Sequence, residues 1–229
     1  TTRNLEHATL QAPSTILEEE TPTRRFGFVT GPFTAEDIVE ERAAAAVCAS
    51  EFPEVHDLCE DVLTTDTLRV YRNDDIAGAE AAAAYGRVIA LLSGIARRME
   101  LGRSLEATLF TRGLAEMARF VIYRGGYEKT AFGLAGCGNL RLDTSEKLSA
   151  EARLGAEFAR RDGVDPEELR GEFGPTASGP FNLIESLAPV VDRAQVELHI
   201  LEHTIELIAG RKSAREVLED LIALPVYHE

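Results

Sequence analysis

A few residues in this sequence have the types and spacing that metal, thiol or nucleotide chemistry requires. His199 and His203 stand four residues apart on a predicted helix, a spacing that can chelate a metal ion, but no third ligand of matching geometry lies nearby. Cys137 has no flanking histidine or lysine to activate its thiol. The glycines of Gly133–Gly138 lack the spacing of a dinucleotide loop and predict a tight turn between helices. We therefore predict no metal site.

The charge of the chain excludes some classes of partner. Its 229 residues carry a formal net charge of −15, whereas a protein that binds nucleic acid through the phosphate backbone needs a basic face. The same charge disfavours an anionic membrane surface. No apolar run approaches eighteen residues, so we predict no membrane span.

The expected compartment follows from the cysteines and the first residue. Three cysteines form no pattern, which indicates a reducing compartment or buried thiols. The chain starts with Thr1 rather than Met, which is expected of a fragment or a processed mature chain. We expect a soluble protein of the cytoplasm or an organellar matrix, mitochondrial if the chain is a processed form.

Two long helices over Asn73–Gly126 form the predicted centre of the fold. Asp75 suits the start of the first helix, and Gly102 suits its end. Ser104 is predicted to be the N-cap of the second helix, which runs to Gly125 and Gly126. Apolar residues recur at helical spacing in both helices, and the alanines and glycines of Ala77–Gly86 favour a helix that other backbones approach closely.

Short strands alternate with helices before this hairpin, which predicts an α/β layer. The predicted strands are Phe26–Thr30, Ala43–Ala49 and Thr67–Tyr71, and the predicted helices are Ser14–Glu20, one that follows a Thr34 cap, and Glu54–Leu63. From Asp75 onward the sequence predicts helices, so we divide the chain into residues 1–74, a remnant α/β domain, and residues 75–229, an all-helical domain.

The remainder of the helical domain is predicted from periodicity and caps. The expected helices are Ser145–Arg161, Asn182–Arg193, Val196–Ala209 and Ser213–Leu224, with a loop rich in glycine and proline at Gly171–Pro180. Ser213 followed by Glu216 has the pattern of a capping box.

Several long segments resemble the NAD-dependent glycerol-3-phosphate dehydrogenase family in the same order along the chain. They are TGPFTAEDI (Thr30–Ile38), LRVYRNDDIAGAE (Leu68–Glu80), LFTRGLAEMARF (Leu109–Phe120), FGLAGCGNL (Phe132–Leu140) and VELHI…AGRKSAREVLEDL (Val196–Leu221). The resemblance implies a mainly α fold, with a helical 6-phosphogluconate-dehydrogenase-like C-terminal domain preceded by a partial α/β segment, a truncated Rossmann fold. Members of the family reduce dihydroxyacetone phosphate to glycerol 3-phosphate with NADH or NADPH.

The nucleotide-binding motif of the family has no counterpart in this sequence. No Gly-x-Gly-x-x-Gly follows a predicted strand, and the resemblance begins late in the nucleotide domain. We expect that the first βαβ half, which carries the pyrophosphate-binding turn, is absent. No cofactor is therefore predicted, and NAD enters only if an active dehydrogenase is assumed.

The catalytic positions that the resemblance implies also carry other residues here. The family's Lys-Asn pair, whose lysine donates a proton to the substrate carbonyl, falls on Gly86 and Arg87. A second active-site lysine falls on Arg3, and the aspartate of the Gly-Asp-Leu motif falls on Asn139. Glycine cannot deliver a proton and arginine is a poor general acid, so we predict loss of catalysis.

The substrate-phosphate positions that the resemblance implies become Asp143, Ala150 and Glu151. Two carboxylates without an opposing cation would repel a phosphate dianion. Arg141, Lys147 and Arg153 lie nearby in sequence and are interpreted as solvent-facing helix charges. The family's cofactor-contacting glutamine has no counterpart, because Gly179 and Pro180 occupy that region.

Three functional hypotheses remain open. The preferred one is a degenerate dehydrogenase homologue that acts as a structural or assembly subunit of a larger complex and binds other protein subunits. The second is an active NAD(P)-dependent enzyme whose nucleotide-binding half is missing from this sequence, with Arg87 as the local substitute for the lysine. The third is a ligand sensor that uses the remnant pocket, where Asp143 and Glu151 would favour neutral or cationic ligands.

Overall fold

A computed structural model describes residues 3–7, 9–145, 149–193 and 196–224. The strands are β1 (Phe28–Thr30), β2 (Ala44–Ala49) and β3 (Leu68–Asn73). The helices are α1 (Pro13–Glu20), α2 (Ala35–Val39), α3 (Pro53–Leu63), α4 (Ile76–Arg98), α5 (Arg103–Tyr123), α6 (Glu128–Phe132), α7 (Asn139–Asp143), α8 (Ala150–Arg160), α9 (Pro166–Phe173), α10 (Pro175–Arg193), α11 (His199–Ile208) and α12 (Ala214–Ala223), and a π-helix spans Leu134–Gly138. The predicted mainly helical fold with a small α/β segment is confirmed.

Helix α4 is the centre of the molecule. Nineteen of its 23 residues are buried, so it is covered on every side by other elements. Asp75 caps it as predicted: its carboxylate accepts from the Gly78 amide at 2.8 Å, and also from the Tyr127 amide at 2.7 Å and the Thr130 hydroxyl at 2.6 Å. By length and composition α4 alone among the described helices would suit a membrane span, but its burial is that of a core helix.

Helix α5 packs along α4 through aromatic rings and a buried acid. The rings of Tyr85 and Phe120 lie 4.9 Å apart, and the Tyr85 hydroxyl donates to the Glu116 carboxylate. Glu116 also accepts from the amides of Ile200 and Leu201 at 2.9 and 3.0 Å, at the start of α11. Burial raises the pKa of Glu116, and these hydrogen bonds offset part of that effect.

The three strands form one sheet in the order β1-β2-β3. β1 runs antiparallel to β2, with Val29 opposite Cys48, and β2 runs parallel to β3, with Val47 opposite Tyr71. A small apolar cluster joins this sheet to α4 and consists of Phe28, Ala49, Ile76, Ala79, Ala83 and Ala135. The helical layer has a larger cluster of its own.

Two predicted helix starts are wrong. Helix α5 begins at Arg103 after Gly102, whose positive φ of 95° turns the chain, and Ser104 lies inside the first turn instead of capping it. The predicted helix Ser145–Arg161 is replaced by α8, which begins after Ser149, whose hydroxyl accepts from the Ala152 amide. Residues 146–148 of that prediction lie outside the described residues.

Two segments predicted as loops are helical. Gly171–Pro180 belongs to α9 and α10, which are separated only by Gly174 at a positive φ of 52°. Pro166 and Pro175 are each the first residue of a helix, a position where proline is favoured because its missing N–H needs no partner. The predicted tight turn at Gly133–Gly138 is instead largely a π-helix.

The predicted capping box of α12 is confirmed and supplies a stability test. The Ser213 hydroxyl accepts from the Glu216 amide, and the Glu216 carboxylate accepts from the Ser213 amide at 2.8 Å. Ser213→Ala is expected to lower the free energy of unfolding by about 1 kcal/mol, measured by urea denaturation. Ser104→Ala is the matched control, because Ser104 caps no helix. Equal losses in both variants would contradict this account of the two serines.

Candidate functional site

The structure brings together the positions that the resemblance marks as the active site. Arg3 comes from the N-terminal segment, Arg87 from α4, Asn139 and Asp143 from α7, and Glu151 from the first turn of α8. Residues up to 140 positions apart in the chain make direct contacts here. These residues therefore lie close together in the folded chain, and two pairs of them are in direct contact.

Arg3 forms a two-pronged ion pair with Asp143. Its Nη1 donates to Asp143 Oδ1 at 3.1 Å, and its Nη2 pairs with Oδ2. Burial raises the pKa of Asp143, and the hydrogen bond and charge of Arg3 offset part of that effect. Thus Asp143, which the resemblance places at a substrate-phosphate position, binds Arg3, which it places at a lysine position.

Arg87 forms the second ion pair, with Glu151. Its Nε donates to Glu151 Oε1 at 2.7 Å, and the two side chains are only 14% and 10% exposed. Its Nη1 donates to the side-chain oxygen of Asn4. The expectation that no cation opposes the two carboxylates is wrong, because each carboxylate has its own arginine. Sequence reasoning missed this because the partners lie 64 and 140 residues apart.

Asn139 and Gly86 both contact other parts of the protein. The Asn139 amide donates to the Thr30 hydroxyl at 2.7 Å and to the Ala135 carbonyl at 2.9 Å, which ties α7 to β1. A Cβ at Gly86 would lie 3.9 Å from Arg3 Nη2, so Arg3 borders the place where the family's lysine would start. Neither residue offers a proton donor to a substrate carbonyl.

The N-terminal segment is also fixed to α10 by contacts that the sequence did not predict. The Ser186 hydroxyl and His7 Nδ1 are 2.6 Å apart, and the same hydroxyl lies 2.6 Å from the His7 carbonyl oxygen. Leu5 is buried among the helices. Residues 3–7 therefore lie across the site and contact α4, α7 and α10.

A cleft of about 480 Å³ adjoins the ion pairs, between the loop after β1 and helix α7. Its charged lining consists of Arg3, Arg42, Glu36, Asp37 and Asp143. Arg42 pairs with Glu36 and Asp37, and Arg3 pairs with Asp143, so no arginine of this lining lacks an acid partner. A phosphate dianion would have to displace a carboxylate from an arginine before it could bind.

The remaining candidates from the sequence do not join this site. Arg141 and Arg153 are exposed, as expected of helix surface charges, and Lys147 lies outside the described residues. His199 contacts Glu202 at 3.1 Å, and His203 lies 3.7 Å from Asp220. Within the described ranges, no three histidine, cysteine or acidic side chains are placed to hold a metal ion.

The glycine-rich segment does not fit a dinucleotide phosphate. A Cβ at Gly136 would lie 2.1 Å from the Ala131 carbonyl oxygen, and one at Gly138 would lie 3.2 Å from Pro32. These glycines allow close packing of the protein's own chain, whereas a pyrophosphate turn leaves its backbone amides free for the ligand. This segment therefore does not supply a dinucleotide-binding turn.

The fold is a large layer of helices packed around α4 and joined to a small three-stranded sheet. Residues 75–219 match the model of the family described as NAD-dependent glycerol-3-phosphate dehydrogenase C-terminus. This chain belongs to that family.

Curated relatives and solved structures agree with this assignment. A "Glycerol-3-phosphate dehydrogenase [NAD(P)+]" of Citrifermentans bemidjiense is 33% identical over 96% of this chain, and one of Pseudomonas aeruginosa is 35% identical over 94%. The matches span 66% and 63% of those relatives' lengths. A crystal structure of glycerol-3-phosphate dehydrogenase from Coxiella burnetii aligns with a TM-score of 0.85 at 25% identity and covers 93% of this chain and 65% of its own. A structure from Dunaliella salina, at 18% identity and a TM-score of 0.83, shows the fold alone; it covers 98% of this chain and 44% of its own.

The Arg87–Glu151 pair predicts a pH dependence of stability. Burial works to raise the pKa of Glu151, but the charge and hydrogen bond of Arg87 overcome it and leave the pKa below its usual 4.5. A lowered carboxylate pKa stabilises the fold above the unfolded-state value and loses that contribution as pH falls through the folded-state value.

The free energy of unfolding should therefore fall less steeply below pH 4.5 in Glu151→Gln than in the wild type, as measured by urea denaturation across pH. Glu172→Gln is the control at a surface ion pair, where solvent weakens the interaction. If the free energy of unfolding depends on pH in the same way in Glu151→Gln and in the wild type, this role of Glu151 is contradicted.

Proposed function

We propose that this chain is a non-catalytic member of the glycerol-3-phosphate dehydrogenase family that acts as a structural or assembly subunit of a larger protein complex. One observation carries the first half of the proposal: both arginines at the family's site are engaged by carboxylates that replace the phosphate-binding residues. The ion pairs of the former substrate site then have a structural role: they hold the N-terminal segment against α4, α7 and α8.

The residues at the implied proton-donor positions support loss of the reaction. Reduction of a carbonyl requires a proton donor at its oxygen, and the positions implied for that donor hold Gly86 and Arg87. Arg87 is fixed by Glu151 and Asn4 and cannot give up a proton at neutral pH. Bound phosphate would also lose the attraction of cations that are already neutralised.

The test of the catalytic half is oxidation of NADH with dihydroxyacetone phosphate by the purified chain. We expect no rate above the background without protein. The companion measurement is a thermal shift with dihydroxyacetone phosphate, in which we expect no rise in melting temperature, because a ligand that binds the folded state stabilises it. A clear rate or a saturable rise would overturn this half.

The proposal that the chain is a subunit of a complex is based on the retained packing of the helical core. It is tested by measuring the size of the native particle that contains the chain. The chain has a mass of 25.0 kDa. We expect the endogenous protein, isolated gently, to travel with other protein subunits in a much larger particle. Recovery of a monodisperse monomer without partners would contradict it. We propose no role for nucleic acid, metal or nucleotide in that assembly.

The second candidate is an active dehydrogenase, and the comparisons favour it. Relatives that carry the dehydrogenase name are 33–35% identical over almost the whole chain. In that case Arg87 is the local candidate to stabilise the substrate oxygen, and the measured NADH oxidation should be lost in Arg87→Ala. The ligand-sensor hypothesis has less support, since Asp143 and Glu151 are already paired with arginines.

A further inference from the structure

Two cysteines that lie 11 positions apart meet between the sheet and a helix. Cys48 on β2 is fully buried, and its Sγ lies 3.9 Å from the carbonyl oxygen of Val55 in the first turn of α3. Cys59 follows Val55 by one helical turn, and helical side chains lean toward the N-terminal turn. The Cys59 thiol therefore lies over the same turn as Val55, close enough to Cys48 to affect its ionisation.

The two thiols differ in access. Cys59 is half-buried on α3, so a small solute can reach it, whereas Cys48 is shielded from solvent. Burial, followed by the hydrogen bond to Cys59, raises the pKa of Cys48 to about 12. An external reagent should therefore react at Cys59 first, and Cys48 should react only with a partner that is already beside it.

We propose that Cys48 and Cys59 form a modification site, a dithiol that a small disulfide such as glutathione disulfide oxidises to an intramolecular disulfide joining β2 to α3.

The reaction proceeds by two exchanges. The Cys59 thiolate attacks one sulfur of glutathione disulfide, the sulfur–sulfur bond of the oxidant breaks, and one glutathione thiolate leaves and takes up a proton. Cys48 then loses its proton to solvent and attacks Cys59 Sγ, which expels the second glutathione. Two protein thiols lose two electrons and two protons, and one glutathione disulfide becomes two glutathione molecules.

The burial of Cys48 determines how the rate should depend on pH. The attacking species is the thiolate, and its fraction rises about tenfold per pH unit below the pKa of the thiol. Closure of the disulfide from the Cys59 adduct should therefore accelerate about tenfold between pH 7 and pH 8. A closure rate that does not change with pH would exclude Cys48 as the attacking group.

The experiment uses the full chain in a Cys137→Ala background, which removes the third thiol. The folded protein is treated with glutathione disulfide, then alkylated, and followed by intact mass and peptide mapping. We expect a final species that has lost two hydrogen atoms, resists alkylation and yields one linked peptide containing Cys48 and Cys59. A product that remains the single glutathione adduct at Cys59 would overturn the proposal.

Variants that lack one of the two cysteines show which thiol reacts first with glutathione disulfide. Cys48→Ala should accumulate the stable glutathione adduct on Cys59, and Cys59→Ala should leave Cys48 unreacted while the protein stays folded. Circular dichroism verifies that each variant is folded. If Cys48→Ala fails to fold, the linked peptide of the parent protein and the Cys59→Ala variant still decide the question.

Discussion

Replacing Arg87 with methionine is expected to lower the free energy of unfolding by about 3–5 kcal/mol at pH 7, because it leaves a buried carboxylate without its cation. Arg87 Nε lies 2.7 Å from Glu151 Oε1, and the two side chains are almost fully buried. Methionine keeps most of the side-chain volume, so the loss reports the charge and not a cavity. The measurement is urea denaturation followed by circular dichroism.

A double-mutant cycle tests whether the loss belongs to the pair. Glu151→Leu alone leaves Arg87 without its acid, whereas Arg87→Met with Glu151→Leu removes both charges and fills the space with apolar atoms. Such a replacement is often close to neutral in stability, so the double variant should recover most of the loss. If the loss of unfolding free energy in the double variant equals the sum of the losses in the two single variants, the two side chains do not act as a pair.

The matched control is Arg161→Met at the surface. Arg161 pairs with Glu172 at 2.6 Å, but water reaches both side chains, so its removal should cost no more than about 1 kcal/mol. If Arg161→Met lowers the free energy of unfolding as much as Arg87→Met does, the effect is a general one of removing an arginine.

Adding one methyl group at Gly94 is expected to lower the free energy of unfolding by about 3 kcal/mol, the upper end of what overpacking usually costs. A Cβ at Gly94 would lie 1.9 Å from the carbonyl oxygen of Ala152 on α8. Gly155 faces α4 in the same way, with its Cβ position 1.9 Å from the Leu91 carbonyl oxygen. Because the opposing atoms are backbone, α4 and α8 must move apart, and Glu151 moves with α8.

Gly171→Ala is the control for Gly94→Ala. Gly171 lies in α9, and a Cβ there would meet no atom within 4 Å, so alanine should stabilise the helix by about 0.5–1 kcal/mol through its higher helix propensity. The free energy of unfolding, measured by thermal and urea denaturation, should therefore rise in Gly171→Ala and fall in Gly94→Ala. If Gly94→Ala is as stable as the wild type, the two helices are not in the close contact described.

The sequence by itself determined the features that depend on neighbouring residues. The Asp75 cap of α4 and the Ser213–Glu216 box of α12 follow from side chains that bond amides three residues away. The family also followed from the sequence, because its motifs are contiguous segments. Two local predictions were wrong here: Gly102 does not end α4, which already ends at Arg98, and Ser104 does not cap α5, which begins directly after Gly102 at a positive φ of 95°.

Only the tertiary structure decided the character of the site. The resemblance implied that several residue types differ from those of the family, but it gave no sign that Arg3 pairs with Asp143 or that Arg87 pairs with Glu151. A side chain is neutralised by whatever the fold brings within a few ångströms of it, and these partners come from different helices and from the N-terminal segment. Asp143 and Glu151, which the sequence predicts to repel a phosphate, are in the folded molecule the counterions of two partly buried arginines.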